Sequence, residues 1–151
     1  MKINKTVSDL GIAAYILMQG YDLLGKKERD FHFEIDENEE RKFDELKISY
    51  LVSEFHYFDH CLMGIKKLEE FNHPIDSKYF VTDLGAAAYL LMHKFRILGK
   101  KGKSYFFDIS SQEENNQFQE LNLQYANSEF HNFDSKLMSL KKIGSFLRLK
   151  K

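Results

Sequence analysis

The sequence predicts an α+β fold in which a helix–β-hairpin–helix–helix unit occurs twice. Two observations lead to this prediction. Residues 9–18 (DLGIAAYILM) return almost unchanged as residues 83–92 (DLGAAAYLLM). After each of these segments the apolar residues change from helical spacing to a spacing of two, and later change back. We therefore expect two units of similar fold, each with three helices and one hairpin.

The internal repeat covers residues 9–71 and 83–146. Residues 24–27 (LGKK) match residues 98–101 (LGKK), and after a one-residue insertion residues 53–59 (SEFHYFD) match residues 128–134 (SEFHNFD). About half of the paired positions are identical, which is far more than unrelated segments share by chance. The pattern predicts a tandem duplication.

Each element of the unit has its own sequence signal. Leucine, alanine and methionine at helical spacing predict the first helix, with Ser8 or Thr82 as its N-cap. Two short segments around a Gly-Lys-Lys sequence follow, and the alternation of Phe31, Phe33 and Ile35 has the period of a strand. Acidic stretches then lead into two helices with apolar stripes.

The repeats predict the domain organisation. Residues 1–73 form repeat unit 1 and residues 74–151 form repeat unit 2, joined through residues 72–76 (NHPID). We expect the units to pack about a pseudo-twofold axis as one compact pseudo-dimeric domain, as the subunits of a homodimer do. A two-stranded hairpin is marginally stable alone, so each hairpin needs either a further strand or cover from a helix. The pseudo-twofold arrangement would allow the two hairpins to form one four-stranded antiparallel sheet.

Composition and charge limit the class of protein. The chain has 151 residues, 43% of them hydrophobic, which is enough for a substantial core. No apolar run approaches the ~20 residues of a membrane-spanning helix, and the first residues do not have the pattern of a signal peptide. The single cysteine, Cys61, has no partner in the chain for a disulfide. We expect a cytoplasmic protein without a membrane partner.

The net charge of −1 conceals an asymmetry between the two halves. Residues 1–73 carry 10 Lys and Arg against 15 Asp and Glu, whereas residues 74–151 carry 12 against 8, so the halves are −5 and +4. This balance excludes a globally basic nucleic-acid-binding protein but permits a basic patch on the second half.

One set of short motifs resembles a known family. The segment 8–15, the Leu24-Gly25 pair, the aromatic second strand and the late helix with Phe58 and Leu62 resemble a family of short prokaryotic and phage-associated domains of unknown function. The resemblance covers each copy almost from end to end. It implies the module boundaries, and it implies no activity, cofactor or catalytic residue.

The histidine motif of each repeat is the strongest candidate for metal or acid–base chemistry. His56 and Asp59, like His131 and Asp134, are three residues apart and share one face of a helix. A structural zinc site needs four ligands, and the position equivalent to Cys61 is a lysine. We therefore predict no metal site, and interpret the motif as the capped, partly buried start of a helix with Ser53 or Ser128 as N-cap.

The remaining motifs do not indicate an enzyme. The Gly25-Lys26-Lys27 sequence lacks the long glycine loop and the final Lys-Ser or Lys-Thr pair of a phosphate-binding loop. No nucleophile lies beside a base in the sequence pattern. We expect no catalytic residue and no cofactor.

Basic and aromatic positions that both repeats share favour single-stranded DNA or RNA as the partner. Lysine or arginine follows the hairpin glycine and ends the last helix in each repeat, and aromatic residues alternate on the strands. A cationic groove with aromatic faces for stacking is the usual way of binding single strands. The predicted binding residues are Lys26, Lys27, Arg29, Lys66, Lys67, Lys100, Lys101, Lys103, Tyr105, Phe106, Lys141 and Lys142.

A second interpretation of the same residues is a protein-interaction or assembly module with no role in nucleic-acid binding. Lysines also occur at the tip of any soluble hairpin, and alternating aromatic residues also bury one face of a sheet under helices. The acidic first half repels phosphate. This interpretation predicts a protein partner or self-association, and the first predicts that the second copy carries most of the nucleic-acid binding.

Overall fold

Both repeats contain the predicted elements in the predicted order, preceded in each case by a further strand. The structure, a computed structural model, describes residues 1–71, 75–143 and 146–147. No helix in these ranges is both long and apolar enough to cross a bilayer. The first repeat comprises β1 (Lys2–Val7), α1 (Leu10–Met18), β2 (Asp22–Lys27), β3 (Asp30–Asp36), α2 (Glu40–Leu51) and α3 (Glu54–Lys66). The second comprises β4 (Phe80–Val81), α4 (Leu84–Met92), β5 (Ile97–Lys101), β6 (Ser104–Phe107), α5 (Gln112–Tyr125), α6 (Glu129–Lys142) and β7 (Phe146–Leu147).

The first helix of each repeat begins at an aspartate cap. The side chains of Asp9 and Asp83 accept hydrogen bonds from the backbone N–H three residues on, at 2.9 and 3.2 Å. These bonds satisfy one of the N–H groups that have no partner within the helix. The prediction that Ser8 and Thr82 are the caps is wrong, because each helix begins one residue later than that prediction requires.

The two hairpins lie in separate sheets. One sheet has the strand order β1-β3-β2-β7 and the other has the order β4-β6-β5, and the pairings within each are antiparallel. The prediction that the hairpins join into one four-stranded sheet is therefore wrong. The residues before α1 and α4 form strands that pair with the second strand of each hairpin, so β3 and β6 each have a neighbouring strand of their own sheet on both sides.

The strand that follows each hairpin turn alternates between core and surface. On β3 the side chains of Phe31, Phe33 and Ile35 are buried, and on β6 those of Tyr105 and Phe107 are buried. The residues that recur with a period of two in the sequence thus form the inward face of each sheet. In both hairpins the register shifts by one residue just before the glycine of the first strand, which is the signature of a β-bulge.

The chain divides into two compact units whose limits differ from those of the repeats. Unit 1 consists of Met1–His56 with Asn132–Lys151, and unit 2 consists of Tyr57–His131. Most of α6 therefore belongs with the first repeat's strands, and most of α3 belongs with the second's. The expected division at residues 73 and 74 lies outside the described residues, and the pseudo-twofold axis stays a prediction.

In unit 1, an aromatic cluster holds α6 against the helices of the first repeat. Phe133 of α6 packs on Tyr50 and Phe55, with ring centroids 6.0 and 5.5 Å apart. Tyr15 contacts the same two rings at 5.5 and 5.7 Å. Phe133 and Tyr50 are almost completely buried. The second repeat's last helix thus supplies a core residue of unit 1.

Unit 2 contains the same cluster with the roles of the repeats reversed. Phe58 of α3 packs on Tyr125 and Phe130, with ring centroids 6.1 and 5.4 Å apart, and Tyr89 contacts those two rings at 5.5 and 5.7 Å. Each repeat therefore contributes one phenylalanine of its last helix to an aromatic cluster formed by helices of the other repeat.

Removing either donated ring should destabilise the protein strongly. We expect Phe133→Ala and Phe58→Ala each to lower the free energy of unfolding by about 3–5 kcal/mol, because each leaves a cavity in a close-packed core. Urea denaturation of the full chain measures this. Met138→Ala on α6 is the matched control, since that side chain is 44% exposed and should change stability by no more than about 0.5 kcal/mol. A Phe133→Ala variant as stable as the control would contradict the assignment of this ring to the core.

Candidate nucleic-acid interface

The outer face of the second sheet carries a pair of phenyl rings. Phe80 on β4 and Phe106 on β6 are opposite each other in the antiparallel register, and their ring centroids are 5.4 Å apart. Opposite residues of an antiparallel pair point to the same side of a sheet. Phe80 is 49% exposed, whereas the next pair, Val81 and Tyr105, is buried. The two phenyl rings therefore lie on the solvent side.

A third ring extends this pair across β5. Gly99 of β5 is the register partner of Phe106. A side chain at Gly99 would meet the ring of Phe71 at 3.4 Å and the side chain of Ile75 at 3.6 Å, which shows that these groups lie over the glycine. Phe71 is 40% exposed. We call Phe71, Phe80 and Phe106 the aromatic row, which crosses all three strands of the sheet.

The hairpin places its cations at one end of the aromatic row. Lys101 pairs with Ser104, one step beyond the Gly99–Phe106 pair on the same face, and is exposed. Lys103 is exposed in the turn, next to Gly102, whose φ is +62°. Lys100 pairs with the buried Tyr105 and therefore lies on the face of the sheet opposite to the aromatic row. Its side chain is half-buried.

A carboxylate also reaches this hairpin, which the sequence did not reveal. Glu70 forms a parallel bridge with Lys100, and its side chain accepts a hydrogen bond of 2.5 Å from the N–H of Gly102. The N–H of Phe71 donates to the carbonyl of Lys100 at 2.8 Å. The segment after α3 is thereby fixed along β5, which positions the Phe71 ring and brings one negative charge close to the lysines.

A shallow cleft continues from the exposed Phe80 ring. Its volume is about 250 Å³, slightly below the usual range for small-molecule sites. It contains hydroxyl, carboxylate and amide groups, and the carboxylate is that of the α4 cap. The lining residues are Phe80, Val81, Thr82, Asp83 and Asn122.

The equivalent face in unit 1 is polar. The register pair that corresponds to Phe80 and Phe106 is Thr6 and His32, whose Oγ1 and Nδ1 atoms are 3.3 Å apart. His32 also pairs across to Gly25, as Phe106 does to Gly99. The described residues at these positions of the first repeat therefore form no counterpart of the Phe80–Phe106 ring pair.

The first hairpin carries its predicted cations at its turn. Lys27 and Arg29 are exposed. Lys26 is half-buried, and its ammonium lies 5.4 Å from the ring centroid of the buried Phe31. Glu28 occupies the turn with a φ of +58°. The first hairpin thus has an acidic residue among its cations, and the ring that Lys26 contacts faces the core.

Most of the aromatic residues that the sequence suggested for stacking are in the core. Tyr105, a predicted binding residue, is only 9% exposed and offers no free ring face, so its assignment to the interface is corrected. Phe31, Phe33, Phe95 and Phe107 are also buried. The physical reason is the pleat, because alternate residues of each strand face the helices and only Phe106 of the predicted rings faces outward.

The predicted lysines of the last helices are exposed but are divided between the units. Lys66 ends α3 and Lys67 follows it, and both belong to unit 2, together with the second hairpin. Lys141 and Lys142 end α6 and belong to unit 1, together with the first hairpin. Each unit therefore groups the hairpin cations of one repeat with the helix-end cations of the other.

The sequence did not identify two of the three rings in the row. Phe80 lies on a strand of only two residues, which is too short to give a recognisable alternation. The equivalent strand of the first repeat, Lys2–Val7, has apolar residues only at Ile3 and Val7, so its sequence does not show the alternation of a strand either. Phe71 lies outside any helix or strand, and its position over Gly99 depends on tertiary contacts alone.

The histidine motifs occupy capped helix starts. The N–H groups of His56 and His131 donate to the hydroxyls of Ser53 and Ser128 at 3.3 and 3.2 Å, which confirms the two serine caps. Each imidazole packs edge-on against the preceding helix's buried tyrosine, with centroids 5.3 Å apart. Within the described residues no group of three or more His, Cys, Asp or Glu side chains is arranged to hold a metal ion.

Cys61 is a buried thiol on α3. Burial raises its pKa, although the charge of Lys94 and a hydrogen bond with Tyr57 act in the opposite direction. The Lys94 ammonium lies 5.4 Å from the Tyr57 ring centroid. A buried thiol with a raised pKa is a poor nucleophile at neutral pH, so its environment is that of a packing residue.

Comparison with known proteins adds no relative from which a function can be inferred. Neither a family model, nor a curated protein, nor a solved structure matches the chain. The resemblance to short prokaryotic and phage-associated domains therefore stays an expectation from the motifs.

The structure of the histidine motifs leads to a prediction about metal. We expect the melting temperature to be unaffected by EDTA, because each imidazole packs on a tyrosine ring and its helix start is fixed by a serine rather than by a metal. Differential scanning fluorimetry with and without the chelator tests this. A large drop in melting temperature that zinc restores would show that the motifs bind metal.

Proposed function

We propose that the chain is a non-catalytic binding protein, derived by tandem duplication, that holds single-stranded DNA or RNA on the outer face of the second sheet. The observation that carries the proposal is the aromatic row of Phe71, Phe80 and Phe106, with Lys101 at one end of the same face.

The exposure of these rings supports a stacking role. A phenyl ring on the solvent side of a small sheet gains little from folding, because its area stays in contact with water. The same area becomes favourable when a flat base covers it, and aromatic stacking contributes about 1–3 kcal/mol for each base. Rings on neighbouring strands suit successive bases of an extended chain, whereas paired bases in a duplex present no free faces.

Charge supports placing the backbone at the hairpin end of the row. Lys101 and Lys103 are exposed there. The unit that contains this hairpin, residues 57–131, carries 8 Lys and Arg against 10 Asp and Glu, so the support comes from these two lysines and not from a net positive charge. Glu70 lies close by and offsets part of their charge. The proposal therefore assigns most of the affinity to stacking, with a moderate contribution from phosphate contacts.

The cleft beside Phe80 supports a role in holding one nucleotide. Thr82 and Asn122 supply neutral donors and acceptors that match base edges and sugar hydroxyls. Asp83 already accepts a hydrogen bond from the α4 backbone. A base stacked on Phe80 would place its edge toward these groups.

The difference between the two sheets supports divergence after duplication. Both sheets have the same register at the equivalent positions, but the first has Thr6 and His32 where the second has Phe80 and Phe106. The fold therefore does not require phenyl rings at this face. Their presence on only the second sheet is what a binding function specific to that repeat would produce.

The rings provide the first test. We expect Phe80→Ser combined with Phe106→Ser to weaken binding of a fluorescently labelled oligothymidine or oligouridine by at least about tenfold, because stacking on two rings is lost. Fluorescence anisotropy of the full-length protein gives the dissociation constant, and thermal unfolding confirms that the variant remains folded.

Thr6→Ala combined with His32→Ala is the matched control, since these residues hold the same register positions in the first repeat. It should leave the affinity for single strands unchanged. Equal losses in both variants, or no loss in either, would show that the row does not bind the bases.

The cations provide the second test. Replacing Lys100, Lys101 and Lys103 together with Ala should weaken binding and flatten its salt dependence, because each lost phosphate contact removes about 0.7 from the slope of log affinity against log salt. Titrations at about 0.05 M and about 0.2 M salt measure the slope. Replacing Lys26, Lys27 and Arg29 together with Ala should reduce the affinity and the salt slope by less.

Absence of salt-sensitive binding by the unmodified protein at low ionic strength would contradict the proposal. The protein-interaction or assembly module would then be the better interpretation of the chain.

A further inference from the structure

One side of α2 in unit 1 is apolar at its C-terminal end although it lies in water. Ile48, Leu51 and Val52 are 68%, 53% and 86% exposed. Leu51, the last residue of α2, and Val52, its C-cap, follow Ile48 by three and four residues, and these spacings bring both beside Ile48. An isolated exposed apolar residue is ordinary, but three adjoining ones mark an interaction surface.

The apolar patch continues into an acidic cleft along the same helix. The cleft has a volume of about 520 Å³, which is within the usual range for ligand sites. Four carboxylates and one guanidinium line it, and Ile48 forms its apolar end. The lining residues are Glu37, Asn38, Glu40, Arg41, Asp44, Glu45 and Ile48.

Neighbouring cations neutralise only part of this charge. The ammonium of Lys5 lies 2.9 Å from Glu40 and 3.0 Å from Asp44, and these contacts raise the Lys5 pKa. Arg41 pairs with Glu45 at 3.2 Å. Lys47 lies 3.7 Å from Asp44. Three cations thus face four carboxylates, and the surface keeps a net charge of −1 beside the apolar patch.

The equivalent helix of the second repeat shows that the fold does not require this surface. At the positions of Glu37 and Asp44, α5 has Gln112 and Gln119, and at the position of Val52 the second repeat has Asn127. An acidic first turn stabilises the dipole of a helix, but that effect is limited to the first turn. Asp44 lies beyond it, so the dipole does not account for the whole acidic face.

We propose that this face of α2 binds a basic segment of a partner protein, with an apolar side chain of that segment seated on Ile48 and Val52. Charge complementarity selects the occupant, because lysine or arginine side chains match the carboxylates of the cleft while the apolar end excludes water from the contact. The same negative charge repels phosphate, which makes this surface distinct in its chemistry from the aromatic row.

A synthetic peptide provides a defined probe. The full-length protein is titrated with a labelled amphipathic helical peptide of Leu and Lys, and in parallel with the peptide in which Glu replaces every Lys. We expect the basic peptide to bind at least about tenfold more tightly than the acidic one, and its affinity to fall between about 0.05 M and about 0.2 M salt.

Variants of the surface locate the binding. Ile48→Ser with Val52→Ser should weaken binding of the basic peptide at least about tenfold, and Glu37→Gln with Asp44→Gln should reduce its salt dependence. Leu123→Ser is the matched control, because Leu123 holds the position of Ile48 on α5 and is 75% exposed. It should leave binding unchanged, and all variants should keep their affinity for single strands.

Two results would overturn the inference. One is equal binding of the basic peptide by the unmodified protein and by the Ile48→Ser, Val52→Ser variant. The other is concentration-dependent self-association in analytical ultracentrifugation that this variant abolishes, because a second copy of the chain would then be the occupant of the patch.

Discussion

The reciprocal insertion of one phenylalanine into each aromatic cluster is the contact on which the rest of the structure depends. Phe133 completes a core made by the first repeat, and Phe58 completes the equivalent core made by the second. Neither repeat has a complete core from its own residues, because its last helix belongs mostly to the other unit. Eight of the 22 Phe and Tyr residues belong to these two clusters, four to each.

The strand that precedes the first helix of each repeat, β1 or β4, supplies residues to the outer face of its sheet. β1 and β4 each pair with the second strand of a hairpin, and the two hairpins belong to separate sheets. On the second sheet, β4 places Phe80 on the solvent-facing side, beside Phe106. A sheet built from the two hairpins alone would not have contained this residue. The edge strand therefore completes the sheet and also supplies a ring of the proposed interface.

Local periodicity predicted the helices and hairpins, whereas features that depend on distant contacts were not predictable. The alternation of Phe31, Phe33 and Ile35 predicted a strand, and the same three residues form its buried face. The burial of Tyr105 follows from the same pleat, but the sequence analysis counted that ring as a surface group. The position of Glu70 at the hairpin turn had no sequence signal, because it results from packing between segments far apart in the chain.

The exchange of last helices also has a consequence for protein synthesis. Tyr50 and Phe133 are separated by more than half of the chain, so the first cluster cannot close while the first repeat is emerging from the ribosome. Contacts of such long sequence separation form slowly, and uncovered apolar surface favours aggregation during the delay. The first repeat must therefore stay incompletely folded until α6, which supplies Phe133, has been synthesised.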